Sequence, residues 1–268
     1  MIRAPALFVS HGAPTFALQP GLLGPKLTQL GEQLPDLRAI AVVSAHWQSA
    51  GVRVMRTSTP ETIHDFGGFP AELYRLQYGA PGSPELAAEA ADLLGAAGFS
   101  ATFDDRRGLD HGAWVPLRYL KPLAGTPVFQ VSMPLDLDAP RALKLGAALA
   151  PLRRKGVLVM GSGSLTHNLG EIEPPDSRGV QTRGEQYALA FTAWIRRHIQ
   201  ERDIEALLDY RRRAPHAARA HPSEEHFLPL LVALGASDFQ DEVLVIEGGV
   251  TYGVLSMESY VFRTGSAG

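Results

Sequence analysis

The sequence predicts an α/β fold, a single domain with a central, mostly parallel β-sheet flanked by helices. Short apolar runs alternate along the chain with stretches of helical periodicity, an order typical of a parallel sheet covered by helices. The run at residues 38–45 (RAIAVVSA) is apolar at most positions, as expected for a central strand buried on both faces. A chain of 268 residues is long enough to bury a substantial core.

The predicted strands are short, mainly apolar segments. They are residues 5–10, 38–45, 52–57, 100–104, 127–132, 157–160, 243–247 and 254–259. We expect a metal site at the carboxyl edge of this sheet, because ligands in open α/β sheets collect outside the carboxyl ends of the strands.

The predicted helices are recognised by the residues that begin and end them. Ser83, Pro84 and Glu85 place a cap, a first-turn proline and an acid before a run rich in alanine and leucine. Further helices are predicted at residues 138–156, 184–200 and 223–235. The proline- and charge-rich segment 171–183 is interpreted as a surface loop, so residues 1–268 are predicted to form one domain.

Composition and charge argue against several classes of protein. A net charge of −3, from 25 basic and 28 acidic residues, gives no basic surplus for binding nucleic acid. Without cysteine, the chain has no disulfides, thiolate metal sites or cysteine nucleophile. No apolar run approaches the roughly 20 residues of a membrane-spanning helix, and the amino terminus lacks a secretory pattern. We therefore expect a cytoplasmic protein that binds neither nucleic acid nor membrane.

Three histidines follow predicted strands. His11 directly follows the first strand, His46 directly follows the second, and His167 comes after the strand at 157–160 and a glycine-rich turn at 161–164. One histidine in such a place is more often a hydrogen-bonded structural residue than a ligand. Three at one sheet edge predict a metal site, and without thiolates their imidazoles favour iron, zinc, manganese or cobalt.

Three more histidines lie where they could reach this site. His226 is predicted in the first turn of the helix at 223–235, and a helix start facing the sheet edge would add an imidazole. His111 has a glycine on its carboxyl side and another close before it, which predicts a tight loop near a ligand. His64 begins the aromatic, glycine-rich segment 64–70, predicted to be a loop over a pocket. The structural alternatives are a surface loop for His111 and a favourable helix-end position for a neutral His226.

Six motifs resemble, in order, those of the class III extradiol ring-cleaving dioxygenases, and most closely the subgroup similar to 4,5-DOPA dioxygenase. The motifs are SHGAP (10–14), VVSAHW (42–47), TIHDFGGFP (62–70), LDHGAW (109–114), GSGSLTHNL (161–169) and HPSEEHFLPLL (221–231). Each motif alone is weak, whereas six in this order are specific. The resemblance implies a single α/β domain with a metal at the sheet edge.

The resemblance also implies roles for individual histidines. His11, His46 and His226 would be metal ligands, with His226 in the place of a glutamate ligand of the protocatechuate-cleaving branch. The site would then be one charge more positive than a site of two histidines and one carboxylate. His167 would be either a fourth ligand or the acid/base, a choice that stays open, and His111 would be a catalytic residue facing substrate and oxygen.

The implied reaction inserts O2 into the ring of a small catechol, such as a DOPA-like molecule, and gives a ring-opened semialdehyde. Fe(II) is the expected catalytic metal because zinc has no accessible redox change, while Zn(II) is the alternative for the metal found in the purified protein. His64, Phe66 and Trp114 are predicted to contact the substrate, with a place in the core as the alternative for the aromatic rings.

Two other functions remain open at this point: a zinc hydrolase, for which the chain lacks an HExxH motif, and a non-catalytic binding protein of the same fold. The serine-containing segment GSGS lacks the GxSxG spacing of a serine hydrolase. The oligomeric state is left open, with a homodimer among the alternatives.

Overall fold

Four parallel strands form the centre of an eight-stranded sheet in the computed structural model, which describes residues 3–173 and 180–265. The strands are β1 (Ala6–Ser10), β2 (Ala39–Ser49), β3 (Val52–Met55), β4 (Ala101–Asp104), β5 (Val128–Pro134), β6 (Val157–Gly163), β7 (Gln181–Thr182), β8 (Asp241–Ile246), β9 (Val250–Thr251), β10 (Leu255–Ser256) and β11 (Ser259–Thr264). The large sheet has the order β4-β3-β5-β2-β6-β1-β11-β8. Strands β5, β2, β6 and β1 run parallel, which confirms the predicted fold class.

The remaining strands complete the architecture at its margins. Strand β3 pairs antiparallel with β5, and β11 pairs antiparallel with β1 and β8. Strands β7, β9 and β10 form a small antiparallel sheet. Residues 174–179 of the predicted loop at 171–183 lie outside the described residues.

Helices cover both faces of the large sheet. They are α1 (Leu23–Gln33), α2 (Pro84–Ala96), α3 (His111–Leu120), α4 (Ala139–Leu149), α5 (Gln186–Glu201), α6 (Ile204–Leu208), α7 (Tyr210–Arg213), α8 (Ala217–Ala220) and α9 (Leu228–Ala236). Along β6, Gly161 and Gly163 face the start of α9, whereas Ser162 between them contacts α3. Because neighbouring residues of a strand point to opposite faces, α9 and α3 lie on opposite sides of the sheet.

The burial of each element follows from its sequence. Strands β1, β5 and β6 are apolar runs that are buried along their whole length, as parallel strands covered on both faces must be. Helix α9 is apolar around its circumference, so it is buried between the sheet and α4. Not one helix of the part that the structure describes has both the length and the apolar character needed to cross a bilayer.

Several predicted boundaries are wrong, and those near the sheet edge matter most. Strand β2 continues past residue 45 to Ser49, so His46 lies inside the strand and not after it. Strand β6 includes residues 161–163, which the sequence predicted to be a turn. Helix α9 begins at Leu228 and not at 223, so His226 lies in the turn before the helix, while Pro229 occupies the first helical turn where proline is tolerated.

Three other predictions also need correction. Helix α4 ends at Leu149 and continues as a 3-10 helix, Ala150–Lys155, whose first turn contains a proline. The predicted strand at 254–259 is divided between β10 and β11. Helix α2 does begin at Pro84, but the Ser83 side chain makes no capping hydrogen bond to any described residue.

Candidate metal centre

Five histidines lie together beside the carboxyl ends of β1, β2 and β6. They are His11, His46, His111, His167 and His226. The His46 Nε2 atom lies 3.0 Å from His11 Nε2 and 3.2 Å from His226 Nε2. Two nitrogens bound at right angles to one metal ion at about 2.1 Å would be ~3.0 Å apart. The spacing of these ring nitrogens therefore fits a shared divalent cation.

The first two histidines are positioned by the central strands. The His11 backbone N–H donates to the Gly163 carbonyl at 2.8 Å, which extends the pairing of β1 with β6 by one residue. His46 lies where β2 shifts register against β5, between Val43 and Gln48. Because such an irregularity re-aims side chains, it explains how a residue inside a strand turns its ring toward the sheet edge.

His226 reaches the site because the start of α9 packs directly on β6. A Cβ atom on Gly161 would lie 1.9 Å from the Pro229 carbonyl oxygen, and one on Gly163 would lie 2.1 Å from the His226 carbonyl oxygen. The Ser164 N–H donates to that His226 oxygen at 2.9 Å. The two glycines therefore permit this close approach, whereas the sequence interpretation assigned them to a turn.

His111 begins α3, so the predicted loop at this position is wrong. The preceding residue, Asp110, is completely buried and caps the helix by accepting from the Ala113 N–H at 3.2 Å. Its carboxylate also accepts from Ser44 Oγ at 2.7 Å and from Gln130 Nε2 at 2.8 Å. These bonds hold the start of α3, and with it His111, against β2 and β5.

A residue that the sequence interpretation missed, Asp65, contacts the His111 ring. Its carboxylate accepts from the His111 backbone N–H at 2.8 Å and lies 3.0 Å from His111 Nδ1. The same carboxylate lies 3.8 Å from His46 Nδ1. Burial would raise the Asp65 pKa, but the contacts with His111 and His46 lower that pKa to about 2. The one signal in the sequence was its place directly after His64.

His167 and Glu225 both contact the ring of His226. The rings of His167 and His226 are stacked, with centroids 3.5 Å apart and planes 7° from parallel. The Glu225 carboxylate lies 2.9 Å from His226 Nδ1. These three residues have side-chain atoms able to bind a metal that lie within 4.8 Å of one another, as do His11, His46 and His111. The sequence interpretation did not assign Glu225 to the site. The signal for it in the sequence is its place directly before His226.

Burial favours the neutral form of these imidazoles. It lowers the pKa of His46 and of His167 to about 4, and it lowers the pKa values of His11 and His226 well below the ordinary value. Nearby imidazoles lower the pKa values of all four residues further, because two neighbouring cations repel each other. The rings are therefore uncharged at neutral pH, which is the form that binds a metal ion.

Comparison with known proteins identifies the family. The family model described as the catalytic LigB subunit of aromatic ring-opening dioxygenase matches residues 22–263. The chain belongs to this family. Family membership confirms the resemblance recognised in the six motifs, and it supports ring opening in preference to hydrolysis or non-catalytic binding.

Similar proteins match the dioxygenase over nearly its full length. A protein of Beta vulgaris named 4,5-DOPA dioxygenase extradiol is 42% identical over 261 residues, which is 96% of each chain. A protein of the same name from Escherichia coli K12 is 37% identical over 268 residues, with 96% of this chain and 94% of the other covered. The crystal structure of an uncharacterized Escherichia coli K12 protein superposes with a TM-score of 0.80 and 32% identity, covering 98% of this chain and all of that one.

The dioxygenase is thus a metal-dependent extradiol enzyme that acts on a small aromatic molecule and O2. Its predicted substrate-contacting residues lie beside His111. The half-buried Phe66 ring meets the His111 ring edge to face at 5.6 Å between centroids, and His64 packs against Phe66 at 5.8 Å. Trp114 is fully buried behind His64, and its indole N–H donates to the Ile63 carbonyl at 2.9 Å.

Proposed function

We propose that this dioxygenase opens the ring of a catechol, with a DOPA-like molecule as its substrate and Fe(II) as its metal. The observation that carries the proposal is the convergence of the Nε2 atoms of His11, His46 and His226, at 3.0 Å and 3.2 Å from one to the next. The names of the similar proteins from Beta vulgaris and Escherichia coli support DOPA as the substrate.

His11, His46 and His226 are the metal ligands in this proposal. Three protein ligands are typical of catalytic metal sites, which keep further positions open for substrate. The donor set fits, because the three imidazoles are neutral, His11 and His226 are buried, and the Nε2 atoms of both lie within 3.2 Å of His46 Nε2. Bound iron would supply the redox chemistry that joins dioxygen to the ring, which zinc lacks. Zn(II) remains a predicted metal of the purified protein, since imidazole suits both ions.

His167 is assigned to proton transfer and not to coordination. An imidazole binds a metal along a lone pair that lies in the plane of its ring. Because the His167 and His226 rings are stacked nearly parallel, their lone pairs lie in parallel planes and do not converge on one ion. A neutral His167 next to the site is able to accept a proton from a substrate hydroxyl.

His111 is assigned to hydrogen bonding with the reacting groups. Its ring centroid lies 3.9 Å from that of His46, and Asp65 restrains the ring from the other side. Phe66 and His64 would bind the substrate ring next to it. Since Trp114 is fully buried, we assign it to supporting these two rings from behind. The cytoplasmic location and the single domain at 1–268 stay predictions.

A histidine-to-alanine series tests these assignments, with each protein loaded anaerobically with Fe(II). His11→Ala, His46→Ala and His226→Ala should lose bound metal, measured by elemental analysis after desalting. His111→Ala should keep metal and lose at least about 100-fold in DOPA turnover, measured as O2 uptake and as absorbance of the ring-opened product. His198→Ala is the control, because the His198 ring lies in the last turn of α5 and pairs with Asp203 just beyond that helix, so its loss should affect neither readout.

Two results would contradict the proposal. Full metal occupancy in His46→Ala would overturn the ligand assignment. Turnover of other catechols by the iron-loaded wild type, with none of DOPA, would overturn the substrate assignment while leaving the metal site intact.

A further inference from the structure

A completely buried hydroxyl lies behind the proposed ligand His11. Ser162 occupies the carboxyl end of β6, and its Oγ atom lies 3.0 Å from His11 Nδ1. The same Oγ atom makes a short hydrogen bond to the backbone carbonyl of Gly112. Ser162 thus links His11 of the metal centre to the backbone of helix α3.

The direction of both hydrogen bonds follows from the protons available. A carbonyl oxygen accepts and never donates, so the bond to Gly112 uses the single hydroxyl proton of Ser162. Toward His11, the Ser162 oxygen is therefore left with lone pairs alone, and His11 Nδ1 must carry the proton of that bond. A neutral imidazole carries one ring proton, which leaves the Nε2 atom of His11 bare.

We infer that Ser162 is a positioning residue that holds His11 in the Nδ1–H tautomer and directs its bare Nε2 atom toward His46 and His226. This inference rests on the proposed ligand role of His11. The other ring nitrogen of a metal-binding histidine usually donates to such a partner, which sets both the tautomer and the ring orientation. A serine hydroxyl can either donate or accept a hydrogen bond, so Ser162 by itself would not fix the tautomer of His11. The Gly112 carbonyl fixes it, because it takes the hydroxyl proton.

The position of the Gly112 carbonyl is itself closely defined. A Cβ atom on Gly112 would lie 2.4 Å from Ser44 Oγ and 3.1 Å from His46 Cδ2, so this residue must be glycine for α3 to approach β2. Gly112 also directly follows His111. The chain of hydrogen bonds from His11 through Ser162 to Gly112 therefore couples a proposed ligand to the helix that carries the proposed substrate-facing histidine.

His226 offers a comparison within the same site. Its Nδ1 atom lies 2.9 Å from a Glu225 carboxylate oxygen, and an ionised carboxylate only accepts hydrogen bonds. Both proposed ligands thus have their proton held on Nδ1, which leaves Nε2 without a proton. A carboxylate does this for His226, and a serine whose own proton is used by the Gly112 carbonyl does it for His11.

The test compares Ser162→Ala with Ser164→Ala, a matched control. Ser164 is equally buried and directly follows β6, but its hydroxyl donates to the Thr166 carbonyl. The first readout uses the metal-free protein labelled with ¹⁵N-histidine, in which NMR shifts identify the tautomer of His11. The second readout is the dissociation constant for Zn²⁺, measured by competition with a chromophoric chelator.

The wild type and Ser164→Ala should show His11 with its proton on Nδ1. Ser162→Ala should show a mixture of tautomers and a Zn²⁺ dissociation constant raised about 10- to 100-fold. Ser162→Thr restores the hydroxyl and should recover the tautomer and most of the affinity, which distinguishes hydrogen bonding from loss of packing.

Three results would overturn the inference alone: an Nε2–H tautomer of His11 in the wild type, an unchanged tautomer and affinity in Ser162→Ala, or an equal loss in Ser164→Ala. Wild-type Zn²⁺ affinity in His11→Ala is a different result, because it removes the proposed ligand role and the inference with it. Parallel measurement of His11→Ala therefore separates the two failures.

Discussion

Replacing Gly163 with alanine should detach His226 from the metal centre while leaving every imidazole of the site unsubstituted. Gly163 lies at the carboxyl end of β6, directly under the turn that carries His226 into α9. An added Cβ atom would lie 2.1 Å from the His226 carbonyl oxygen. The substitution therefore pushes against the backbone of a proposed ligand, which cannot rotate away as a flexible side chain can.

The expected displacement is large compared with what a metal site tolerates. The Cβ atom and the carbonyl oxygen must separate by about 1.3 Å to reach the 3.4 Å of ordinary contact. Metal–ligand distances are defined to about 0.2 Å, and His226 Nε2 now lies 3.2 Å from His46 Nε2. We expect the metal dissociation constant to rise at least about tenfold, with a loss of about 1–3 kcal/mol in the free energy of unfolding from overpacking.

Chelator competition measures the metal affinity and urea unfolding measures the stability. Gly235 lies at the far end of α9, away from the turn that carries His226. Gly235→Ala is the matched control, because its Cβ atom would lie 2.0 Å from the carbonyl oxygen of Leu143 in α4. It should lose similar stability and keep the metal affinity of the folded protein. In Gly95→Ala, where the added atom meets none of the described atoms within 4 Å, neither quantity should fall. Wild-type metal affinity in Gly163→Ala would refute the reasoning.

Two further predictions concern stability. Burial lowers the pKa of His221 from 6.5 to about 3, so between these pH values the unfolded chain binds a proton that the folded protein excludes, and stability falls as the pH falls. In the metal-free protein, this effect should lower the free energy of unfolding by about 2 kcal/mol at pH 5 relative to pH above 7. Urea unfolding of His221→Gln should therefore show a weaker pH dependence than the wild type. An unchanged pH dependence would contradict the assignment. Asp110→Ala should lose about 3 kcal/mol of unfolding free energy, since it removes a helix cap and leaves buried donors unpaired, whereas Asp138→Ala, the exposed cap of α4, should lose about 1 kcal/mol. Equal losses in the two caps would show that the buried network around Asp110 adds nothing.

The central strands were predictable because their residues are apolar on both faces, a pattern that needs no knowledge of the partner strands. The boundaries failed where a contact from elsewhere in the chain decides them. The glycines of β6 predict a turn when they are considered alone, because glycine is common in turns. They extend the strand here because α9 packs on them. For the same reason, the entry into α9 cannot be located from residues 223–228 alone.

The histidine site likewise has a part that local sequence predicts and a part that only distant contacts decide. The apolar runs that precede His11, His46 and His167 predicted that these residues lie at one sheet edge, and this much is written locally in the chain. The Asp65 contact with His111, which joins residues 46 positions apart, has no local pattern beyond the neighbouring His64. Asp110, which directly precedes His111, caps α3, and it is Asp65 that meets the ring.

By itself, the sequence determined the α/β class, the edge of the sheet where chemistry is expected and, through six ordered motifs, the family. The tertiary structure decided which imidazoles share a cation-sized space and which groups hold their second nitrogens. The physical reason is that strand periodicity is a property of neighbouring residues, whereas the 3.0 Å and 3.2 Å separations of the Nε2 atoms depend on how separate elements pack. A shift of about 1 Å between β6 and α9 would leave every strand and helix intact and still separate the ligands.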